Sequence, residues 1–254
     1  MSGLKNRGAI TATFLIAAAM FSAFRADTGK MRLHGIITPT DKTVITYNAD
    51  KSVAKLVSTH QTSDESYTVT RIPVYENGKL VKTMFADENA APSLFSTLTW
   101  SVNNQVIKVS YYENGAVNSY DSLVYRNGKV AARYFFTKTN DGFQSQNCQL
   151  YTWDAKGNVT KVENMGRLNN QAEFALSSTV SYKYDNKANA QLNIPAYLVD
   201  FTPASLSVNN VTTETIDDKL VGSYEYVYND MQYPVSVKAK YGNETVSTKL
   251  EWKE

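Results

Sequence analysis

The chain has 254 residues and a formal net charge of +2, with 17 Tyr, 10 Phe, six Pro and one Cys. This composition favours strands, and a single cysteine excludes both an intramolecular disulfide and a Cys-based zinc site. Charged residues are 20% of the chain, which describes a globular body and not a disordered tail. Once Lys5 and Arg7 are removed with an export segment, the body is near neutral, which gives it no electrostatic reason to seek nucleic acid.

Residues 1–8 are short and basic, residues 9–24 carry no charge, and Arg25 and Asp27 end the apolar run. At ~1.5 Å per residue that run extends about 24 Å, short of the ~30 Å hydrocarbon core of a bilayer. A basic start, a short apolar run and a polar exit read as a signal peptide over residues 1–26. The triplet Phe21-Ser22-Ala23 resembles the one that precedes a lipidated cysteine, but the next residue is Phe24. The segment is therefore lipoprotein-like with the acceptor missing, and the parent gene or close relatives are expected to carry Cys at position 24. Residues 27–42 read as a tether or a first irregular strand, with turn chemistry at Thr38-Pro39-Thr40-Asp41. The folded body is placed at 43–254, as one all-β domain.

Within that body one short pattern recurs. An aromatic residue ends a strand, Asn, Asp and Gly make a turn, and Val or Leu opens the next strand. Tyr75 to Lys82, Tyr112 to Val117 and Tyr125 to Val130 are copies with Asn-Gly at the corner. Asn-Gly is the strongest short hairpin signal, because a type I′ turn needs positive φ at both central positions. A longer corner appears at Tyr47 to Val53, Trp153 to Val159 and Tyr228 to Val235. It predicts a left-handed residue at Lys51, Gly157 and Gln232. Asn103-Asn104 and Gly242-Asn243 are further candidate turns, and Asn140-Asp141-Gly142 closes another hairpin. Flanking runs alternate with period two, as in Tyr224, Tyr226 and Tyr228 on one face and Glu225 and Val227 on the other. The expected fold is a large curled antiparallel sheet or open barrel of hairpins in meander order, with roughly 13 to 16 strands. Residues 164–178 and 186–216 break the pattern. The first reads as a long loop, with a helical turn around residues 171–176. The second, with Pro195 and Pro203, reads as short helices or packed loops. Long excursions from a regular scaffold are where a site is expected.

Trp153 to Val162 resembles a tyrosine-aspartate (YD) type repeat, and Tyr182-Lys183-Tyr184-Asp185-Asn186-Lys187-Ala188-Asn189 resembles a hallmark of secreted Bacteroidota domains of unknown function. Those relatives continue with Pro where this chain has Ala190. The resemblance covers residues 43–254. It implies an envelope protein, often a lipoprotein, with a porin-like curled antiparallel sheet, and it implies no known activity and no catalytic residues.

Candidate chemistry is sparse. His34 and His60 lack a second ligand at metal spacing. The pairs Asp64-Glu65, Asp87-Glu88 and Asp217-Asp218 sit in turn-like contexts, and neighbours along a strand point to opposite faces, so none is by itself a catalytic pair. No nucleophile elbow, phosphate loop or dinucleotide fingerprint is present. Cys148 reads as a small buried residue. We expect no catalytic residues, cofactor or metal. Trp100, Trp153 and Trp252, near strand ends or turns, are the residues expected to meet a ligand. The functional expectation is a non-enzymatic protein of the periplasm, outer-membrane surface or exterior of a Gram-negative bacterium. It would bind a glycan or a lipophilic molecule on a curved sheet, or partner other envelope components. The alternatives are a carbohydrate-active hydrolase and an outer-membrane β-barrel.

Overall fold

The structure is a computed structural model, and it describes residues 31–167, 173–198 and 201–254. The proposed signal peptide lies outside the described residues. Sixteen strands follow one another in antiparallel hairpins and close into a barrel. In chain order they are β1 Arg32–Ile37, β2 Asp41–Tyr47, β3 Val53–Gln61, β4 Ser66–Glu76, β5 Lys79–Asp87, β6 Ser93–Trp100, β7 Val106–Glu113 and β8 Ala116–Arg126. The second half comprises β9 Lys129–Thr139, β10 Gly142–Trp153, β11 Val159–Gly166, β12 Ala175–Ala188, β13 Asn209–Ile216, β14 Lys219–Tyr228, β15 Pro234–Tyr241 and β16 Glu244–Lys253. The meander expected from the sequence is therefore present, and the sheet closes.

Closure depends on residues 32–42, which the sequence left as a tether or an irregular strand. They form β1 and the start of β2. β1 pairs with β16, Leu33 opposite Trp252 and Ile36 opposite Leu250, and also with β2. The folded body thus begins by Arg32 and not at Thr43. Its bulge between Leu33 and Gly35 interrupts the period-two alternation, which hid the strand. The stretch 164–178 is also shorter as a loop than expected, because β11 runs to Gly166 and β12 starts at Ala175. Of the helical turn expected at 171–176, residues 171 and 172 lie outside those described, and Ala175 and Leu176 are already strand, at the start of β12.

The corners are set by backbone handedness. Asn77-Gly78, Asn114-Gly115 and Asn127-Gly128 all have positive φ, from 51° to 77°, as type I′ turns require. Asp217-Asp218 does the same without glycine, at 46° and 65°. The longer corner places Lys51, Gly157 and Gln232 at φ of 72°, 97° and 65°, the three left-handed positions the sequence predicted. In each copy the residue after the aromatic donates its N–H to the carbonyl four residues on: Asn48 to Ser52, Asp154 to Asn158 and Asn229 to Tyr233. A fourth copy follows Trp100, with Ser101 donating to Gln105 and Asn104 at φ 58°.

The aromatic before each corner braces the barrel. Register shifts occur just before Tyr47, Tyr75, Trp100, Tyr125, Trp153 and Tyr228, and such bulges re-aim a side chain. The ring then reaches over the preceding strand and donates to a carbonyl near that strand's start. Tyr47 Oη donates to Leu33 (2.7 Å), Trp100 Nε1 to Leu80 (2.9 Å), Tyr125 Oη to Val106 (2.9 Å) and Trp153 Nε1 to Val130 (2.7 Å). Tyr184 donates to Val159, and Trp252 Nε1 donates to Pro234 (2.7 Å). Tyr75 occupies the same place on β4, buried beside Val53, but its hydroxyl makes no hydrogen bond among the described residues. Tyr228 donates to Asp185 instead. The repeat is therefore a ring of side-chain braces around one rim.

The core lies inside that rim. Leu33, Ile45, Val53, Leu80, Val106, Val130 and Val159, all at this end, form one cluster with Ile194 and Leu198. Those last two come from the excursion between β12 and β13, whose described residues, 189–198 and 201–208, fold into the lumen as a plug. It contains a 3-10 turn, Ala196–Leu198, and one helical turn, α1, Pro203–Leu206. Thr202 caps α1, with Ser205 completing a capping box and Pro203 at the first helical position. The two packed turns expected from Pro195 and Pro203 are both there. Asn and Ser side chains pin the plug's return to the wall. Asn158 and Asn209 bond each other through side chain and backbone, and Ser207 Oγ accepts from the Val159 N–H.

Two substitutions separate brace from filler. Trp153→Phe removes the donor and strands the Val130 carbonyl, so unfolding in urea should show a loss of about 1–2 kcal/mol. Tyr197, in the plug, has a buried hydroxyl without a partner among the described residues. Tyr197→Phe should therefore leave stability unchanged or raise it by up to about 1 kcal/mol.

Candidate functional site

Pairing fixes which side chains face the lumen. Ile45 pairs with Leu56 and both are in the core, so Val44, Lys55 and Val57 face outward. Carried around the ring, the same rule divides the lumen into a filled end, a polar layer and an open mouth.

The polar layer runs across the wall from β7 to β12. Asp121 is 3% exposed. Its Oδ2 accepts from Tyr111 Oη at 2.8 Å, from Arg133 Nε at 3.0 Å and from Arg133 Nη2 at 2.6 Å. Arg133 turns its remaining nitrogen to the plug, Nη1 donating to the Phe201 carbonyl at 3.0 Å. From β4, Arg71 Nη1 donates to the Leu198 carbonyl at 3.1 Å. Arg133 also lies over the rings of Phe135 and Phe201. Beyond it the layer continues as Tyr151 to Gln149 (2.7 Å), Gln149 to Asn164 (3.0 Å) and Asn164 to Ser178 (3.0 Å). Two arginines thus hold the plug by its backbone carbonyls. A buried carboxylate neutralises one of them, as a charge taken out of water requires.

Beyond this layer, inward positions become exposed. Tyr67 is 50% exposed, Tyr241 44%, Ile216 and Val246 37% each, so this end is open to water. Around it Tyr224 donates to Glu214 Oε2 at 3.2 Å, and its hydroxyl lies 3.0 Å from that of Tyr241, the two rings edge to face. Gly222 makes room for them, since a Cβ there would lie 3.1 Å from Tyr224 Oη and 3.2 Å from Tyr241 Cε1. On the other side His60 Nδ1 bonds Asp41 Oδ1 at 2.7 Å and its ring lies against Tyr67. The His60 bond, with those from the Thr40 and Thr38 hydroxyls, holds the Asp41 carboxyl below the usual range. The mouth therefore carries phenol and imidazole rings beside carboxylates and hydroxyls.

The outward face differs. Lys42, Lys82, Lys161, Lys183, Lys238 and Lys249 point outward, among Thr and Ser such as the pairs Thr59–Thr68, Lys238–Ser247 and Lys240–Thr245. One arc is apolar. On β8–β10, Tyr120 stacks on Phe136 at 4.5 Å and contacts Phe143, with Lys108 Nζ 4.0 Å above the Tyr120 ring.

The barrel resembles that of a porin-like protein from Bacteroides uniformis. The two share 13% identity at a TM-score of 0.59, over 89% of this chain and 98% of that one. A porin-like protein from Bacteroides vulgatus matches at 13% identity and a TM-score of 0.46, over 87% of this chain and 98% of that one. A Bacteroides fragilis protein of unknown function aligns at 11% identity and a TM-score of 0.27, over 69% and 92%. No protein-family model and no curated protein matches the chain. The first likeness supports the Bacteroidota porin-like fold suggested by the sequence resemblance, and it supports the fold alone.

The three tryptophans expected to meet a ligand lie at the filled rim, on β6, β10 and β16. Their N–H groups are spent on carbonyls. Lys79 lies over Trp100, Lys129 over Trp153, and Tyr233 packs on Trp252 at 4.7 Å. They are not brought together, and we do not assign the ligand to them. Sequence reasoning missed Tyr111, Asp121, Arg133 and Glu214. The available signal was a charged residue at an inward position of an alternating strand, as in Asp121 between Tyr120 and Ser122.

Burial pushes the Tyr111 phenol well above its ordinary value, reinforced by the Asp121 carboxylate. Burial raises Tyr151 to about 12, although the Arg133 cation opposes it, and raises Tyr184 to about 12. Phenols held protonated in the fold ionise near pH 10 once unfolded. Their contribution is complete below pH 10 and is lost as pH rises from there towards 12. Urea titrations should show stability independent of these groups up to about pH 9 and falling above pH 10. Absorbance near 295 nm should show them titrating only with unfolding. Asp121→Ala leaves Arg133 buried without its partner and should cost about 3–5 kcal/mol.

Proposed function

We propose that the chain is a non-enzymatic cell-envelope protein that binds a glycan in the open mouth of its barrel. The observation that carries this reading is the composition of that mouth, where rings alternate with hydrogen-bonding groups at Tyr224, Tyr241, Glu214, Tyr67, His60 and Asp41. Sugars present C–H faces that pack on rings and hydroxyls that pair with carboxylates, and pockets use such a few convergent polar groups to fix orientation. A lipophilic ligand would call for a continuous apolar lining, which the carboxylates interrupt. A hydrolase would need two opposed, available carboxylates. Asp121, the most deeply buried of the lumen acids named above, is already occupied by Tyr111 and Arg133.

The envelope location rests on the export-like segment and on the porin-like fold of the Bacteroides neighbour. An outer-membrane barrel is the second reading, and the outward arc of Tyr120, Phe136 and Phe143 favours it. Against it, a lipid-facing Lys costs about 2–4 kcal/mol at the bilayer midplane, and outward lysines recur around most of the ring. We therefore favour a barrel in water.

Two measurements test the proposal. The protein without residues 1–26 should stay monodisperse in buffer without detergent, whereas a membrane barrel would aggregate. Glycan-array screening followed by calorimetry should find a binder, and Tyr224→Ala with Tyr241→Ala should weaken it at least tenfold, with Trp100→Phe leaving it within twofold. Binding insensitive to the mouth tyrosines, or no glycan binding at all, would refute the assignment.

A further inference from the structure

The filled rim carries a second cleft, at the opposite end from the mouth. It measures about 750 Å³ and is lined by Arg32 and His34 of β1, Ile45 to Tyr47 of β2, Asn48 and Lys51 of the following turn, and Lys253 and Glu254. Three permanent cations therefore converge on one concavity from three parts of the chain. None of the three forms an ion pair among the described residues. The neighbouring acids are engaged. Asp50 accepts from the backbone and side chain of Ser52, and Glu251 pairs with Lys249 at 2.8 Å. Glu254 is the one carboxylate side chain lining the cleft.

The cations are also positioned. Arg32 lies 5.4 Å above the Tyr47 ring, and Tyr47 is itself fixed by its bond to the Leu33 carbonyl. Lys51 sits at the left-handed corner, φ 72°, so the turn geometry sets where its side chain leaves the backbone. His34 Nδ1 is 3.0 Å from the Ile45 carbonyl, a bond that orients the ring with Nδ1 as the donor. Elsewhere on the outer wall, lysines are separated by Thr and Ser or face an acid, as Lys238 faces Glu225. With a net charge of only +2, general attraction does not account for a local excess of this kind.

We propose that this cleft is a binding site for a phosphate-bearing ligand. The guanidinium of Arg32 offers a planar fork that matches a phosphate, and Lys51 and Lys253 supply point charges around it. The phosphate could belong to a lipid headgroup or to a soluble molecule, and the chemistry recognised is the same. The site is independent of the glycan reading, because it lies at the other end of the barrel and shares no residue with the mouth.

The test uses the protein with two probes: inorganic phosphate followed by NMR or calorimetry, and sedimentation with phosphatidylglycerol or phosphatidylcholine vesicles. Saturable phosphate binding, or sedimentation with the anionic vesicles alone, is expected. The triple variant Arg32→Gln, Lys51→Gln, Lys253→Gln should reduce it at least tenfold, and Lys238→Gln with Lys240→Gln should change it less than twofold. Phosphate without vesicles assigns a soluble ligand, and vesicles without phosphate assign a headgroup. Binding to neither probe, or equal loss in both variants, overturns the site. Thermal melts of each variant within a few degrees of the parent ensure that the loss is not unfolding.

Discussion

A ring of sixteen antiparallel strands encloses more space than its own inward side chains can fill. At eight strands side chains nearly meet across the axis, whereas at sixteen an aqueous channel remains. The structure answers this constraint at one end only. Residues 189–198 and 201–208, between β12 and β13, fold two short turns into the lumen, so that Ile194 and Leu198 become core for side chains that would otherwise face water. The half-buried lumen arginines follow from the plug, because its irregular backbone carries carbonyls that need donors inside the barrel. Arg71 and Arg133 supply them, and Asp121 follows from Arg133. At the unfilled end the same ring leaves a mouth.

The braced rim is the second consequence. A wide barrel built from local hairpins has little to hold each hairpin to the next except the ladder. An aromatic sits near the end of every second strand, and Tyr47, Trp100, Tyr125, Trp153, Tyr184 and Trp252 each bond a carbonyl of the strand before, which adds a side-chain tie at those repeats. This gives the recurring aromatic-and-corner pattern a physical meaning. The aromatic is the tie, the Asn or Asp after it organises the corner, and the left-handed position lets the chain turn. At Gly157 the fit is tight as well as left-handed, since a Cβ there would lie 2.9 Å from Val208 in the plug's return. Lys51 and Gln232 hold the same backbone without glycine, where the corner hydrogen bonds outweigh the modest cost of αL.

What could be read from the sequence was what is local. Corners, strand alternation, meander order and both packed turns of the excursion are written in windows of about ten residues. Closure was not, because it depends on Leu33 and Ile36 meeting Trp252 and Leu250 from the far end of the chain, with a bulge spoiling the alternation of the short first strand. The bracing role of the tryptophans was hidden for a related reason. A large ring near a turn looks available to a ligand until the carbonyl it serves, about twenty residues earlier, is known. Likewise nothing local in the sequence marks Asp121 and Arg133, and only pairing places both on the lumen face beside the plug. The mouth was half legible. The shared face of Tyr224, Tyr226 and Tyr228 was visible, whereas Glu214 and Tyr241 come from other strands.

The central claim is that this barrel is filled at the braced end and open to water at the other. Thiol accessibility tests it directly. In a Cys148→Ser background, Tyr241→Cys at the mouth and Leu198→Cys in the plug would be reacted with a bulky charged maleimide under native conditions. The account predicts labelling of the mouth cysteine at a rate close to that of the unfolded protein, and of the plug cysteine at least a hundredfold more slowly. Equal rates at the two positions, with both variants folded, would contradict it.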